Sequence, residues 1–121
     1  QTLLSVSAKD FSFIVEENVA NIFSQLSCFG VKVNLIQNSA LTFSVCFDQN
    51  DYVLPRLIET LQQDYNVKYN NDLQLITIRH YDQNAIENLN KKGRILIEQK
   101  NRVTLQCLIE ESKKQNARLS K

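Results

Sequence analysis

Two stretches of strict alternation, set back to back, decide most of what this chain can become. Val31, Val33 and Leu35 fall on one side of an extended segment with Lys32 and Asn34 on the other, and Leu41, Phe43, Val45 and Phe47 alternate with Thr42, Ser44 and Cys46. Successive strand side chains point to opposite faces, so a period of two on both sides of Gln37-Asn38-Ser39-Ala40 predicts a hairpin with one buried face and that polar run as its turn. The hairpin is bracketed by the helical period. Upstream, Val19, Ile22, Phe23 and Leu26 keep the i, i+3, i+4, i+7 spacing, with Glu16, Glu17 and Asn18 as acidic and capping residues and Gly30 as a left-handed stop. Downstream, Leu54, Leu57, Ile58 and Leu61 form a second stripe, with candidate caps in Asp48-Gln49-Asn50-Asp51 and Pro55 early, where a missing N–H costs least. Strands at Leu3 to Ser7 and Asn66 to Tyr69 complete the order strand, helix, strand, strand, helix, strand. That order is the ferredoxin-like βαββαβ arrangement, four antiparallel strands with two helices on one face.

The same grammar then restarts. Leu73 to Arg79 reads as a strand, and Asp82 caps a helix with Ala85, Ile86 and Leu89 inward, Lys91 and Lys92 at its carbonyl end, and Gly93 closing it. Ile95 to Lys100 and Val103 to Ile109 form a hairpin around Asn101-Arg102. The hairpins overlay, Gln37 on Gln99, Leu41 on Val103, Thr42 on Thr104 and Phe43 on Leu105, a spaced match that points to a tandem pair. An α+β chain of two units is expected, residues 1–71 complete and residues 72–121 incomplete. Glu110 to Lys121 is mostly polar and offers no final strand, which would leave the third strand or the core of the second unit open. The missing strand is expected from residues before Gln1 or from a partner chain.

Composition narrows the function. At 121 residues the chain is short for an enzyme that binds a nucleotide and a second substrate, and with two glycines it has no glycine-rich phosphate loop. A net charge of +1 argues against nucleic acid as partner. No apolar run approaches the ~20 residues that span a bilayer, so no membrane association and a cytoplasmic setting are expected. Cys28, Cys46 and Cys107 are odd in number and widely spaced, which suggests neither a disulfide framework nor a zinc site. Methionine is absent, so Gln1 reads as an internal position of a longer chain.

Few residues promise chemistry. His80 beside Asp82 has no nucleophile at a recognisable motif and reads as a junction residue. Glu16 and Glu17 suit a first helical turn, where unsatisfied N–H groups favour acids, and Phe43 and Phe47 suit a core. The more informative constellation is Lys9 to Val19 with Asn34 to Ala40. The ferredoxin-like topology brings the loop before the first helix towards the hairpin turn. Helix N–H groups near Asn18 suit a carboxylate there, while Asn34, Gln37, Asn38 and Ser39 offer neutral partners for an ammonium or hydroxyl. A zwitterionic amino acid fits that chemistry, and an ordinary polar turn is the competing reading.

The stretch Glu17 to Asp48, ENVANIFSQLSCFGVKVNLIQNSALTFSVCFD, resembles the first ACT domain of aspartate kinases of the lysine-sensitive type. Val67-Lys68-Tyr69 to Ile78 and Gly93 to Ile109 resemble the second ACT domain, so the likeness spans nearly the whole chain. What the resemblance implies is a feedback regulatory region without catalytic residues, with ATP and Mg bound by an upstream kinase domain and no cofactor or metal of its own. It also implies a homodimer through the ACT units and an extra strand for the second unit from sequence preceding the first. Family effector pockets correspond to Ser12, Val15, Asn18 and Val19 on the loop and helix, and to Val33, Asn34, Ser39 and Ala40 on the hairpin. Lysine-sensitive members typically carry acids at the positions of Asn34 and Ala40, and this chain departs from them with a neutral amide and a methyl, so the resemblance leaves threonine or a water-mediated lysine as the implied effector. A free-standing amino-acid sensor and a purely structural dimerisation module are the alternatives.

Overall fold

The computed structural model describes residues 1–10 and 12–111. Its elements run β1 (Thr2–Ala8), α1 (Glu16–Cys28), β2 (Val33–Asn38), β3 (Thr42–Phe47), α2 (Leu54–Gln62) and β4 (Tyr65–Asn70), then β5 (Gln74–Arg79), α3 (Gln83–Lys92), β6 (Gly93–Lys100) and β7 (Thr104–Glu111). Two compact units result, the first Gln1–Asn71 and the second beginning at Asp72. The fold class is α+β, as the periodicities predict. No helix among the described residues is long and apolar enough to cross a membrane.

In the first unit the strands lie in the order β2-β3-β1-β4, all antiparallel. Leu4, Val6, Phe43, Val45 and Phe47 point to one face and pack with Ile22 and Leu26 of α1 and Leu54, Leu57 and Leu61 of α2. Phe23 meets Phe43 edge-on, with ring centroids 5.5 Å apart. The opposite face is not uniformly polar: Leu3, Cys46 and Leu35 are cross-strand neighbours there and all three are buried. The expectation of a single apolar face is therefore corrected, and β1 accordingly buries the consecutive residues Leu3 and Leu4.

Helix and hairpin boundaries shift for reasons visible in the hydrogen bonds. The N-cap of α1 is Val15, and Asn18, expected as a cap, is the third helical residue, its side-chain oxygen accepting the Val15 N–H at 3.0 Å. At the other end Gly30, at φ +72°, donates to the Ser27 carbonyl (2.9 Å) and Val31 to the Leu26 carbonyl (2.9 Å), a Schellman closure. That bond engages the Val31 N–H, so β2 starts at Val33. It also runs on to Asn38, which moves Gln37 and Asn38 out of the turn and into the strand. Ser39 closes the turn: its N–H reaches the Thr42 carbonyl (2.8 Å) and its hydroxyl accepts the Thr42 N–H (3.1 Å). Between Val33 and Leu35 a bulge inserts one residue. Beyond it Ile36 and Asn38 oppose Val45 and Phe43, placing them on the helix side, whereas Leu35 and Gln37 face away.

The second unit repeats this plan as β5-β7-β6, with a matching bulge between Ile95 and Ile97. Leu89 of α3 packs with Leu105, Cys107 and Ile109. Asp82 caps α3 as expected, its carboxylate accepting the Ala85 N–H at 2.9 Å. Gly93 follows the last residue of α3, as expected of the helix stop, and has a second part in the strand that begins there. Its backbone is extended, it opens β6, and a Cβ there would overlap the Glu110 carbonyl. The open edge is also different, because β7, the third strand, is central and β5 has one neighbour among the described residues. In the first unit the same position beside β1 is filled by β4. The polar segment after Glu111 lies outside the described residues.

Candidate functional site

The loop before α1 and the β2–β3 turn meet through a backbone bond, Ile14 N–H to the Ala40 carbonyl at 2.8 Å. Beside it lies a cleft of about 370 Å³ lined by Ile14, Val15, Glu16, Val19, Ala20 and Asn38. Ile14 is buried and gives an apolar floor, while Val15 and Glu16 are exposed at the rim. Val15 has no side-chain acceptor, so the N-cap residue itself leaves the N-terminal amides of α1 without a side-chain cap. Asn38 reaches the cleft because the β2 bulge has turned it to the helix side.

Of the residues singled out by sequence, Val15, Val19 and Asn38 line this cleft and Ala40 supplies the carbonyl that ties the turn to the loop. The others are placed elsewhere or engaged. Ser12 binds Asp10, whose carboxyl is held below its ordinary pKa by the Ser12 hydroxyl first and its N–H second. Asn18 is occupied with Val15, and Ser39 with Thr42. Val33 packs against the core, and Gln37 opposes Ser44 on the helix-free face. Asn34 stands at the far end of β2, where its amide donates to Gln1 Oε1 (2.8 Å) and Asp48 Oδ1 (2.9 Å). Gln1 Nε2 donates to the same Asp48 oxygen (2.7 Å), and these bonds, Gln1 first, lower the Asp48 pKa.

Ile14, Glu16 and Ala20 line the cleft and were not singled out as site residues. Glu16 and Ala20 are four apart with Val19 between them, a spacing that places them on one helix face, but their signal is masked because a first-turn acid is adequately explained by the helix itself. A larger depression, about 600 Å³, lies along edge strand β4 between Ser7, Lys9, Tyr65 and Lys68. Its Lys9 ammonium already donates to the Gln63 carbonyl at 3.2 Å, and the α1 cleft is the one that joins a helix N-terminus to the hairpin.

The second unit treats the corresponding place differently. Asp82 fills the helix N-terminus with its own carboxylate, and the Tyr81 hydroxyl donates to the Asn101 carbonyl at 2.8 Å. Lys100 stands opposite Leu105 as Asn38 stands opposite Phe43. His80 has φ 56° and its N–H bonds the Val103 carbonyl, so its part is in the junction, as read from sequence. Cys46 and Cys107 are buried; burial foremost, with Asp48 nearby, pushes the Cys46 thiol up to about 11.

A four-stranded sheet of this order with two helices on one face, followed by a second unit built on the same plan, is a tandem ACT-like fold. No family model matches the sequence, and no curated protein matches it. Solved structures do, among them aspartate kinases and their regulatory chains. The chain described as a C-terminal regulatory domain of aspartate kinase from Porphyromonas gingivalis W83 is 19% identical, with 98% of this chain and 86% of that one covered and a TM-score of 0.73. Escherichia coli aspartokinase III in complex with lysine and aspartate is 19% identical over 90% of this chain, with a TM-score of 0.69. The regulatory subunit of aspartate kinase from Thermus flavus is 10% identical, with 89% of this chain and 81% of that one covered and a TM-score of 0.64. The chain spans about a quarter (27%) of the length of the E. coli enzyme. Its fold is that of the aspartate-kinase regulatory region.

Proposed function

We propose that this chain is the amino-acid-sensing regulatory region of an aspartate kinase, with the effector held in the α1 cleft. The observation that carries the reading is the cleft itself: a helix N-terminus without a side-chain cap from its N-cap residue, an apolar floor and the Asn38 amide converge on one space of about 370 Å³, in a fold shared with a kinase crystallised with lysine. The helix N–H groups take the effector's carboxylate, and Asn38 takes a polar group on its side chain. Lysine and threonine are the two candidates. ATP, Mg and aspartate act at a kinase domain outside these residues, so the chain has no phosphotransferase activity of its own. In the parent enzyme it pairs with a second copy through the ACT units, and a strand supplied from outside residues 1–121 completes the β5 edge.

Control follows from differential affinity. An effector that prefers one packing of the paired units by about 1–3 kcal/mol changes kinase activity by roughly 5- to 150-fold. Calorimetric titration of the chain with lysine, threonine and aspartate tests the sensor reading. Saturable binding of lysine or threonine, weakened by Val19→Asp in the cleft, is the expected result. Absence of binding by every amino acid at millimolar concentration overturns it.

A further inference from the structure

We propose that edge strand β4 takes up an extended acidic segment of a partner protein as an added strand, with Lys68 and Lys9 binding its carboxylates. β4 pairs with β1 on one side and has no other strand beside it among the described residues. The depression of about 600 Å³ runs along that edge, is lined by two lysines and no acid, and shares no lining residue with the α1 cleft. Asn66 and Lys68, opposite Ser7 and Ser5, stand on the helix-free face, while Val67 and Tyr69, opposite Val6 and Leu4, stand on the helix face. Lys68 is exposed, and the Lys9 ammonium, anchored on the Gln63 carbonyl at 3.2 Å, has two further N–H donors. Asp10, the next residue, is turned to Ser12, whose N–H its carboxylate accepts at 3.0 Å.

An added strand meets the two faces alternately, because successive side chains point to opposite sides. Acids then fall beside Lys68 and Lys9, and apolar side chains beside Tyr69, which is 49% exposed. The segment that fits this edge alternates acidic and apolar residues. Charge argues against a second copy as the occupant. The edge strand β2 and the body of β5 carry no charged residue, whereas β4 has a lysine within it. Antiparallel pairing of β4 with itself would bring the Lys68 ammoniums of two copies towards each other, and a cation on an edge keeps like strands apart. The same lysine attracts a strand of opposite charge.

The probe is a capped, fluorescently labelled heptapeptide alternating glutamate with valine, titrated with the whole chain and followed by anisotropy. Saturable binding that weakens with salt is expected, with hydrogen-exchange protection gained at β4. Lys68→Gln should weaken binding about fivefold, the size of an exposed ion pair, and Lys68→Glu should shift the preference to a peptide with lysine in place of glutamate. Lys68 lies outside the core, so both variants should unfold as the parent does. Of two peptides N-methylated at the glutamates or at the valines, one should lose binding, because only alternate amides face the ladder. Binding unchanged in Lys68→Glu, full binding by both methylated peptides, or no binding at millimolar peptide overturns the proposal. Protection of β4 that appears on concentrating the chain alone puts a second copy on the edge and overturns it as well.

Discussion

Asparagine 34 shows how far one residue's role can move between sequence and structure. Its place beside a polar run marks it as a ligand contact, yet the side chain spends its donors on Gln1 and Asp48 at the end of the sheet away from the turn. The consequence is electrostatic. Asp48 keeps its charge to lower pH because the Gln1 and Asn34 amides donate to the carboxylate and have no counterpart for the neutral acid. A carboxyl lowered in the folded state contributes stability above its unfolded pKa and loses that contribution as pH falls through the folded value. An NMR pH titration should find the Asp48 midpoint below that of an unstructured aspartate, and Asn34→Ala should move it upward. A midpoint indifferent to Asn34→Ala would show that Gln1 alone sets it.

Elements are held by a few positions whose reasons differ even when the residue is the same. Gly30 ends α1 because φ +72° is a left-handed conformation, with open space where a Cβ would go. Gly93 has an extended backbone and is needed because the Glu110 carbonyl occupies the place of a side chain. Gly30→Ala should therefore cost about 1–2 kcal/mol through backbone strain alone. Gly93→Ala forces β6 and β7 apart at backbone atoms and should cost about 1–3 kcal/mol with loss of hydrogen-exchange protection confined to the β6–β7 ladder. Urea unfolding of both variants checks the magnitudes. Unchanged protection at the Arg94 and Glu110 end of the ladder would contradict the close approach. The bulge in β2 belongs to this scale too, since it lets Val33 serve the core and Asn38 serve the cleft from one strand.

At the scale of the molecule the two units are unequal copies. The first has its four strands, while the second presents β5 as an open edge among the described residues. An exposed row of backbone donors and acceptors is a template for pairing, which is the physical ground for expecting a strand from outside and association between copies. Light scattering is expected to give twice the chain mass at micromolar concentration. A monomer at high micromolar concentration, with and without effector, would remove the homodimer from the proposed function.

The sequence by itself determined the order of elements, the paired hairpins and the division near residue 71, because alternation, helical spacing and the caps at Asp82 and Gly30 are local signals written in adjacent residues. Tertiary structure decided what adjacency cannot express. The bulge at Asn34 changed which side chains of β2 meet α1, bringing Asn38 to the cleft and sending Gln37 away from it. Glu16 joined the cleft because a first-turn acid has the same local signature whether it serves the helix or a ligand, and only the hairpin's approach to the loop tells them apart. Among the described residues the edge beside β5, rather than β7, is the one without a counterpart of β4, because antiparallel pairing places the third strand in the centre, and pairing order arises from long-range contacts that no local period encodes.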